Sequence, residues 1–176
     1  DVALKEGMTR YTPAAGTMTL RRAIAGKLER ENGLRYAPEE IVVSNGAKHS
    51  LHNAIQVIID PGEEVIIPAP YWLTYPELVK LADGVPIIVE TKKENDFKIT
   101  AAELEKAITK KTRAVLLNSP NNPTGAVYSK EEFAALASVL EKHKDIYIIS
   151  DEIYENLVYD GAETASFALY SEEIKN

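Results

Sequence analysis

Short apolar runs rich in β-branched residues recur along this chain, at residues 41–43, 65–67, 87–89, 114–117 and 146–149, and none of them alternates with polar residues. A strand with one face in water would alternate, so these runs predict strands covered on both faces. Between them the apolar spacing is helical: Leu20, Ile24 and Leu28 share a face, as do Leu51, Ile55 and Ile58, then Leu78 and Leu81, then Phe133, Leu136 and Leu140. Punctuation agrees with this reading. Asn32-Gly33, Asp60-Pro61-Gly62 and Asp83-Gly84 stop helices, while Thr100 with Glu103 and Ser129 with Glu132 have capping-box spacing. The alternation predicts an α/β fold, a mostly parallel doubly wound sheet with helices on both faces, in a single domain over residues 1–176. Residues 157–159 carry a weak strand signal, after which periodicity is lost.

Composition narrows the function. With 176 residues, 45% of them hydrophobic, the chain can bury one ordinary core but not two full domains. Its 20 Lys and Arg are interspersed with 27 Asp and Glu for a net charge of -7, which argues against a nucleic-acid partner and for a small molecule. The absence of cysteine excludes disulfides, thiolate nucleophiles and sulfur-ligated metals and permits a reducing compartment, so a cytoplasmic location is expected. No apolar run approaches the roughly 20 residues of a membrane span, and residues 1–7 lack the apolar stretch of a signal peptide. The chain starts at Asp1 rather than at methionine, and a fragment or processed product is expected.

In open α/β sheets ligands bind outside the carboxyl ends of the strands, and the unusual residues of this sequence collect after its apolar runs. These segments are Ser44-Asn45-Gly46-Ala47-Lys48, Pro68-Ala69-Pro70-Tyr71-Trp72, Asn118-Ser119-Pro120-Asn121-Asn122-Pro123-Thr124-Gly125 and Asp151-Glu152-Ile153-Tyr154. Gly46-Ala47 opens a helix whose free amides and dipole can hold an anion such as phosphate, or Gly46 simply makes the strand-to-helix turn. Trp72, the only tryptophan, offers a flat face to an aromatic ligand or belongs to a core or interface. Asp151 follows four apolar residues and Ser150, so its carboxylate emerges poorly solvated at the sheet edge, where a protonated partner would offset the desolvation. A helix cap or a magnesium ligand are the rival roles, but the phosphate-loop pattern that a magnesium-nucleotide site needs is not supplied by Gly46-Ala47-Lys48-His49-Ser50. The run 121–125 is turn chemistry made notable by its position, and His49 and His52, with no carboxylate at a matching offset, read as helix-surface residues.

Taken in order, Gly-Ala-Lys at 46–48, Pro-Tyr-Trp-x-x-Tyr-Pro at 70–76, Ser-Pro-Asn-Asn-Pro-Thr-Gly at 119–125 and Ser-Asp-Glu-Ile-Tyr-Glu at 150–155 resemble the class I/II (fold-type-I) pyridoxal-phosphate aminotransferases. The likeness runs from Tyr11 to about Tyr159 and is closest to the bacterial aspartate aminotransferase branch. It implies that the Gly46 and Ala47 amides bind the phosphate of pyridoxal 5'-phosphate (PLP), that Trp72 stacks on its ring, and that Asn122 and Tyr154 hydrogen-bond its phenolic oxygen. Asp151 would pair with the ring nitrogen, and Tyr11 would reach the phosphate of a neighbouring subunit in a homodimer. On the substrate side the resemblance implies Lys48 at the distal carboxylate of aspartate or glutamate, Asn122 at the α-carboxylate, and Trp72 as part of the same pocket.

One departure qualifies the resemblance. The family's Schiff-base lysine lies in a Ser-x-x-Lys segment after the Asp-x-x-Tyr motif, and nothing of that kind precedes Asn176; Lys175, in Glu-Glu-Ile-Lys-Asn, does not match. The expectation is therefore a partial PLP-binding large domain without the N-terminal arm, the lysine segment or the C-terminal small domain, binding PLP non-covalently if at all and inactive alone, while the parent transaminates an amino acid, aspartate first, with a 2-oxo acid. A carbon–sulfur lyase, a different aminotransferase and a non-catalytic ligand-binding module are the alternatives.

Overall fold

The computed structural model describes residues 1–170, which divide into two compact units, Asp1–Gly46 and a second beginning at Ala47. The first unit contains helix α1 (Val2–Lys5), helix α2 (Met18–Asn32) and a 3-10 turn at Pro38–Glu40. Thr17 caps α2 by accepting the Leu20 amide, and Gly33 ends it at φ 68°, a left-handed conformation that only glycine adopts without a Cβ penalty. Arg21 then donates from Nε to the Pro38 carbonyl at 2.7 Å and holds the 3-10 turn to the helix.

The apolar run 41–43 does not become a strand. Ile41 is extended at φ -106° and ψ 128°, but the Val43 amide goes to the Ala15 carbonyl, a loop within the same unit, so no ladder forms. β-branched residues favour extended backbone, and a strand also needs a paired neighbour.

The second unit alternates as expected: helix α3 (Ala47–Ile58), strand β1 (Glu64–Ala69), helix α4 (Thr74–Leu81), strand β2 (Val85–Glu90), helix α5 (Ala101–Ala107), strand β3 (Thr112–Asn118), helix α6 (Lys130–Leu140) and strand β4 (Tyr147–Asp151). All strand pairs are parallel, in the order β2-β1-β3-β4. Because strand side chains alternate between faces, the sheet has two cores. Val65, Ile67, Ala114 and Leu116 pack with Leu51 and Ile55 of α3 and Leu78 and Val79 of α4. Ile66, Val115 and Leu117 pack the other way, with Leu104 of α5 and Phe133, Leu136 and Leu140 of α6. The fold is α/β and doubly wound, and both expected capping boxes form, Thr100 with Glu103 on α5 and Ser129 with Glu132 on α6.

Residues 157–159 are not a strand. Leu157 instead closes a turn by donating to the Tyr154 carbonyl, and the side chains of Leu157 and Tyr159 are exposed, so no buried face rewards pairing there. Among the described residues no helix is long and apolar enough to cross a membrane.

Candidate functional site

The strand order places a topological switch between β1 and β3: the chain leaves β1 outward to β2, then returns past β1 to β3 and β4. Loops at such a point diverge and leave a crevice at the carboxyl ends of the strands. A pocket of about 100 Å³ lies there, lined by Ala47, Trp72, Tyr75, Asn122, Asp151, Ile153 and Tyr154.

Asp151 ends β4 and is 8% exposed. Its Oδ2 accepts from the Tyr75 hydroxyl at 2.8 Å and its Oδ1 from the Ile153 amide at 3.2 Å. Neutral donors therefore orient the carboxylate, and none of the ion pairs among the described residues reaches it. A carboxylate so placed offers its charge to whatever cation enters the pocket.

Tyr75 sits in the first turn of α4, 2% exposed, with its ring edge-on to Trp72 at 5.6 Å. Burial first, and the neighbouring Asp151 charge second, push its hydroxyl far above the usual tyrosine range, so at neutral pH it remains a donor. Trp72 is half-buried, and the Lys48 ammonium lies 4.9 Å from its ring centroid, within cation–π range. Across the pocket the Asn122 amide donates to the Tyr154 hydroxyl at 3.5 Å, so two residues expected to share one ligand oxygen already meet.

Helix α3 begins at Ala47, and the amides of Ala47 and Lys48 stand in its first turn, where no intrahelical acceptor exists and the helix dipole is positive. Gly46, bonded to Ala47, has φ +83° with open space where a Cβ would stand, and its own amide donates to the Ser44 carbonyl at 2.9 Å. The anion-binding capacity of this turn thus begins at Ala47. Tyr11 belongs to the first unit and its side chain is fully exposed. Lys175 lies outside the described residues.

Five residues picked from sequence, Ala47, Trp72, Asn122, Asp151 and Tyr154, thus line one pocket. Comparison with known proteins places this arrangement in a family: the Aminotransferase class I and II profile matches residues 1–175. The chain belongs to that family. This class I and II aminotransferase chain is 52% identical to the aspartate aminotransferase of Bacillus sp. (strain YM-2) over 173 residues, covering 98% of the chain and 44% of that protein. It superposes on the crystal structure of the aspartate aminotransferase from Rhizobium meliloti with a TM-score of 0.96 at 44% identity, over 99% of the chain and 44% of that structure. The aspartate aminotransferase from Thermus thermophilus with maleate matches with a TM-score of 0.91 at 50% identity, over 96% of the chain and 44% of that structure. The chain thus spans 44% of the length of these relatives.

Tyr75 received no role from sequence although it stands inside the Pro-Tyr-Trp-x-x-Tyr-Pro motif. The available signal was spacing: three residues after Trp72, at the start of a helix, Tyr75 comes round to the same side. What the spacing could not reveal is its acceptor, which lies 76 positions away.

Proposed function

We propose that the intact protein is a PLP-dependent aminotransferase that moves an amino group between a dicarboxylic amino acid, aspartate first, and a 2-oxo acid. The observation that carries this reading is the poorly solvated Asp151 carboxylate, oriented by Tyr75 and facing a pocket with an indole on its wall. The residues present fit the cofactor. A buried carboxylate suits a protonated ring nitrogen, Trp72 the ring face, Asn122 and Tyr154 the ring oxygen, and the start of α3 the phosphate.

When bound, PLP supplies an electron sink for the charge left when an amino acid loses its α-proton. Asp151 would hold a proton on the ring nitrogen and so strengthen that sink, and Tyr75 orients the carboxylate for it. Trp72 would hold the face of the ring, while Asn122 and Tyr154 would hold its phenolic oxygen. The free amides of the first turn of α3, from Ala47 on, would anchor the phosphate end. Lys48 stands beside the indole and supplies the positive charge that selects a distal carboxylate; the maleate in the Thermus relative's complex is itself a dicarboxylate, which favours this choice. The proton shift needs a lysine that has no counterpart among these 176 residues, so we expect turnover from the intact protein and not from residues 1–176 alone. Tyr11, fully exposed, is then available to complete the phosphate site of a second copy in a homodimer. The lack of cysteine fits the reducing cytoplasm, where we place the protein.

The test is turnover of aspartate with 2-oxoglutarate by the intact protein, followed through oxaloacetate. Lys48→Ala is expected to raise KM for aspartate by about tenfold, the worth of one charge-assisted contact, and to leave aromatic donors unchanged. Preference for an aromatic donor in the unsubstituted protein, or release of ammonia and a thiol from an S-substituted amino acid, would replace this reading with a different aminotransferase or with a carbon–sulfur lyase.

A further inference from the structure

Asn122, in the loop after β3, and Asp151, at the end of β4, are 29 positions apart in sequence, yet a single side chain bonds the backbone of both. That side chain is Asn118, the last residue of β3, 6% exposed and in register with Asp151 on β4. Its Nδ2 donates to the Asp151 carbonyl at 2.9 Å and to the Pro120 carbonyl at 3.1 Å, and its Oδ1 accepts the Asn122 amide at 2.8 Å. Both hydrogens of the amide nitrogen are used, so the group is locked in one orientation. A second amide extends the connection: Asn121 donates from Nδ2 to the Pro70 carbonyl at 3.4 Å, while its Oδ1 accepts from the Thr124 amide and hydroxyl at 3.1 and 2.9 Å. Pro70 precedes Trp72 by two residues. The loop carrying the indole, the loop carrying Asn122 and the strand end carrying Asp151 are thereby tied through the side chains of Asn118 and Asn121.

We propose that Asn118 is a positioning residue that holds Asn122 and Asp151 at the separation the cofactor ring requires, with Asn121 extending the clasp to the Trp72 loop. The proposal rests on the PLP reading above. An ordinary turn would need its loop bonds closed upon itself, as Thr124 does with Asn121; the bond from Asn118 to the Asp151 carbonyl leaves the turn and fixes a second strand. Neither asparagine lines the pocket, so each acts only through the residues it holds. A displacement of about 1 Å in a reacting group can slow chemistry by about a hundredfold, which is why the clasp matters although it touches no ligand.

The experiment uses the intact protein and Asn118→Asp, which keeps the size and the acceptor for the Asn122 amide but faces two carbonyl oxygens with an oxygen instead of an amine. Asn118→Ser, which introduces no charge, is made in parallel in case the first variant fails to fold. Three quantities are read: PLP dissociation by equilibrium dialysis, kcat against KM, and hydrogen exchange of the Asn122 amide without cofactor. The expected result in a folded variant is a dissociation constant raised about tenfold, kcat lowered about tenfold or more with KM within about twofold, and faster exchange at Asn122. A variant that merely melts earlier, with dissociation constant and kcat within about twofold of the unsubstituted protein, overturns the clasp and leaves the functional reading intact. An unsubstituted protein that binds no PLP overturns the functional reading, and the clasp with it.

Discussion

Two buried tyrosines sit on opposite faces of the same parallel sheet and put their hydroxyls to different uses. Tyr128, on the α5–α6 face, accepts the Ile99 amide at 2.9 Å and stacks on Phe133, so its polar atom satisfies a loop backbone inside a core. Tyr75, on the α3–α4 face, donates to the Asp151 carboxylate instead. Burial is the largest cause pushing both hydroxyls up, Tyr128 to about 12 and Tyr75 further, because Asp151 adds its charge only to the second. The same residue in the same kind of environment is a structural strut on one face and lines the candidate pocket on the other. What differs is whether its partner is a backbone amide or the Asp151 carboxylate at the pocket.

The largest expected effect tests whether the strut face is independent. Phe133 is fully buried and contacts Tyr128, Phe167 and Tyr170, so Phe133→Ala should destabilise the fold by about 3–5 kcal/mol in urea unfolding. Hydrogen exchange of the Ile153 amide, which marks the Asp151 site, should speed up only as far as global unfolding requires. Preferential exposure of that amide would couple the two faces and end the distinction.

Next comes alkaline pH. A phenol whose folded value lies above its ordinary value of 10.0 favours the neutral form in the native state, so the stability it contributes is complete below pH 10 and is lost as pH rises towards about 12. For Tyr128 the loss should be on the order of 2–3 kcal/mol. Tyr128→Phe should flatten much of the decline measured by urea titration between pH 9 and 12, and an unaltered slope would mean that Tyr128 ionises without cost to the fold. The variant separates the faces too. At pH 7 it leaves the Ile99 amide without its acceptor and should cost about 1–2 kcal/mol while PLP binding by the intact protein stays unchanged. Tyr75→Phe should do the reverse, raising the PLP dissociation constant about tenfold by releasing one oxygen of Asp151. Equal effects of the two substitutions on PLP would erase the assignment of Tyr75 to the site.

Much of this was legible in the sequence because it depends on near neighbours. Periodicity identified β1 to β4 and the helices over both faces, and spacing alone identified the capping boxes at Thr100 and Ser129. Five pocket residues were legible through motifs, since a strand end followed by an odd residue is a local pattern. The failures share the opposite property. Residues 41–43 look like a strand but find no ladder, because pairing depends on what lies alongside. Tyr75 and Asn118 look like an aromatic in a loop motif and a polar strand end; their acceptors stand 76 and 33 positions away, and no window of sequence contains both partners.

The smallest expected effect lies at the edge of the strut face. Thr100 follows Ile99, the residue bound by Tyr128, and its amide and hydroxyl both donate to Glu103 Oε2, at 2.9 and 2.8 Å. The backbone hydrogen bond from Thr100 is the main reason the Glu103 carboxyl is held below its ordinary value of 4.5. A lowered folded value means that the stabilisation is present above the ordinary value and disappears as pH falls through the lowered one. Glu103→Gln keeps an acceptor but loses the charge near the start of α5, and should cost about half a kcal/mol at pH 7. The gap between the two proteins should narrow as pH falls below the ordinary carboxyl value and close below the lowered folded value, where both side chains are neutral. The substitution should leave PLP binding unchanged, because Glu103 bonds Thr100 and lends its charge to Tyr128, a residue of the strut face. A gap that stays constant into acid would assign the cost to lost packing or altered geometry, not to charge, and a change in PLP binding would show that the two faces communicate through α5.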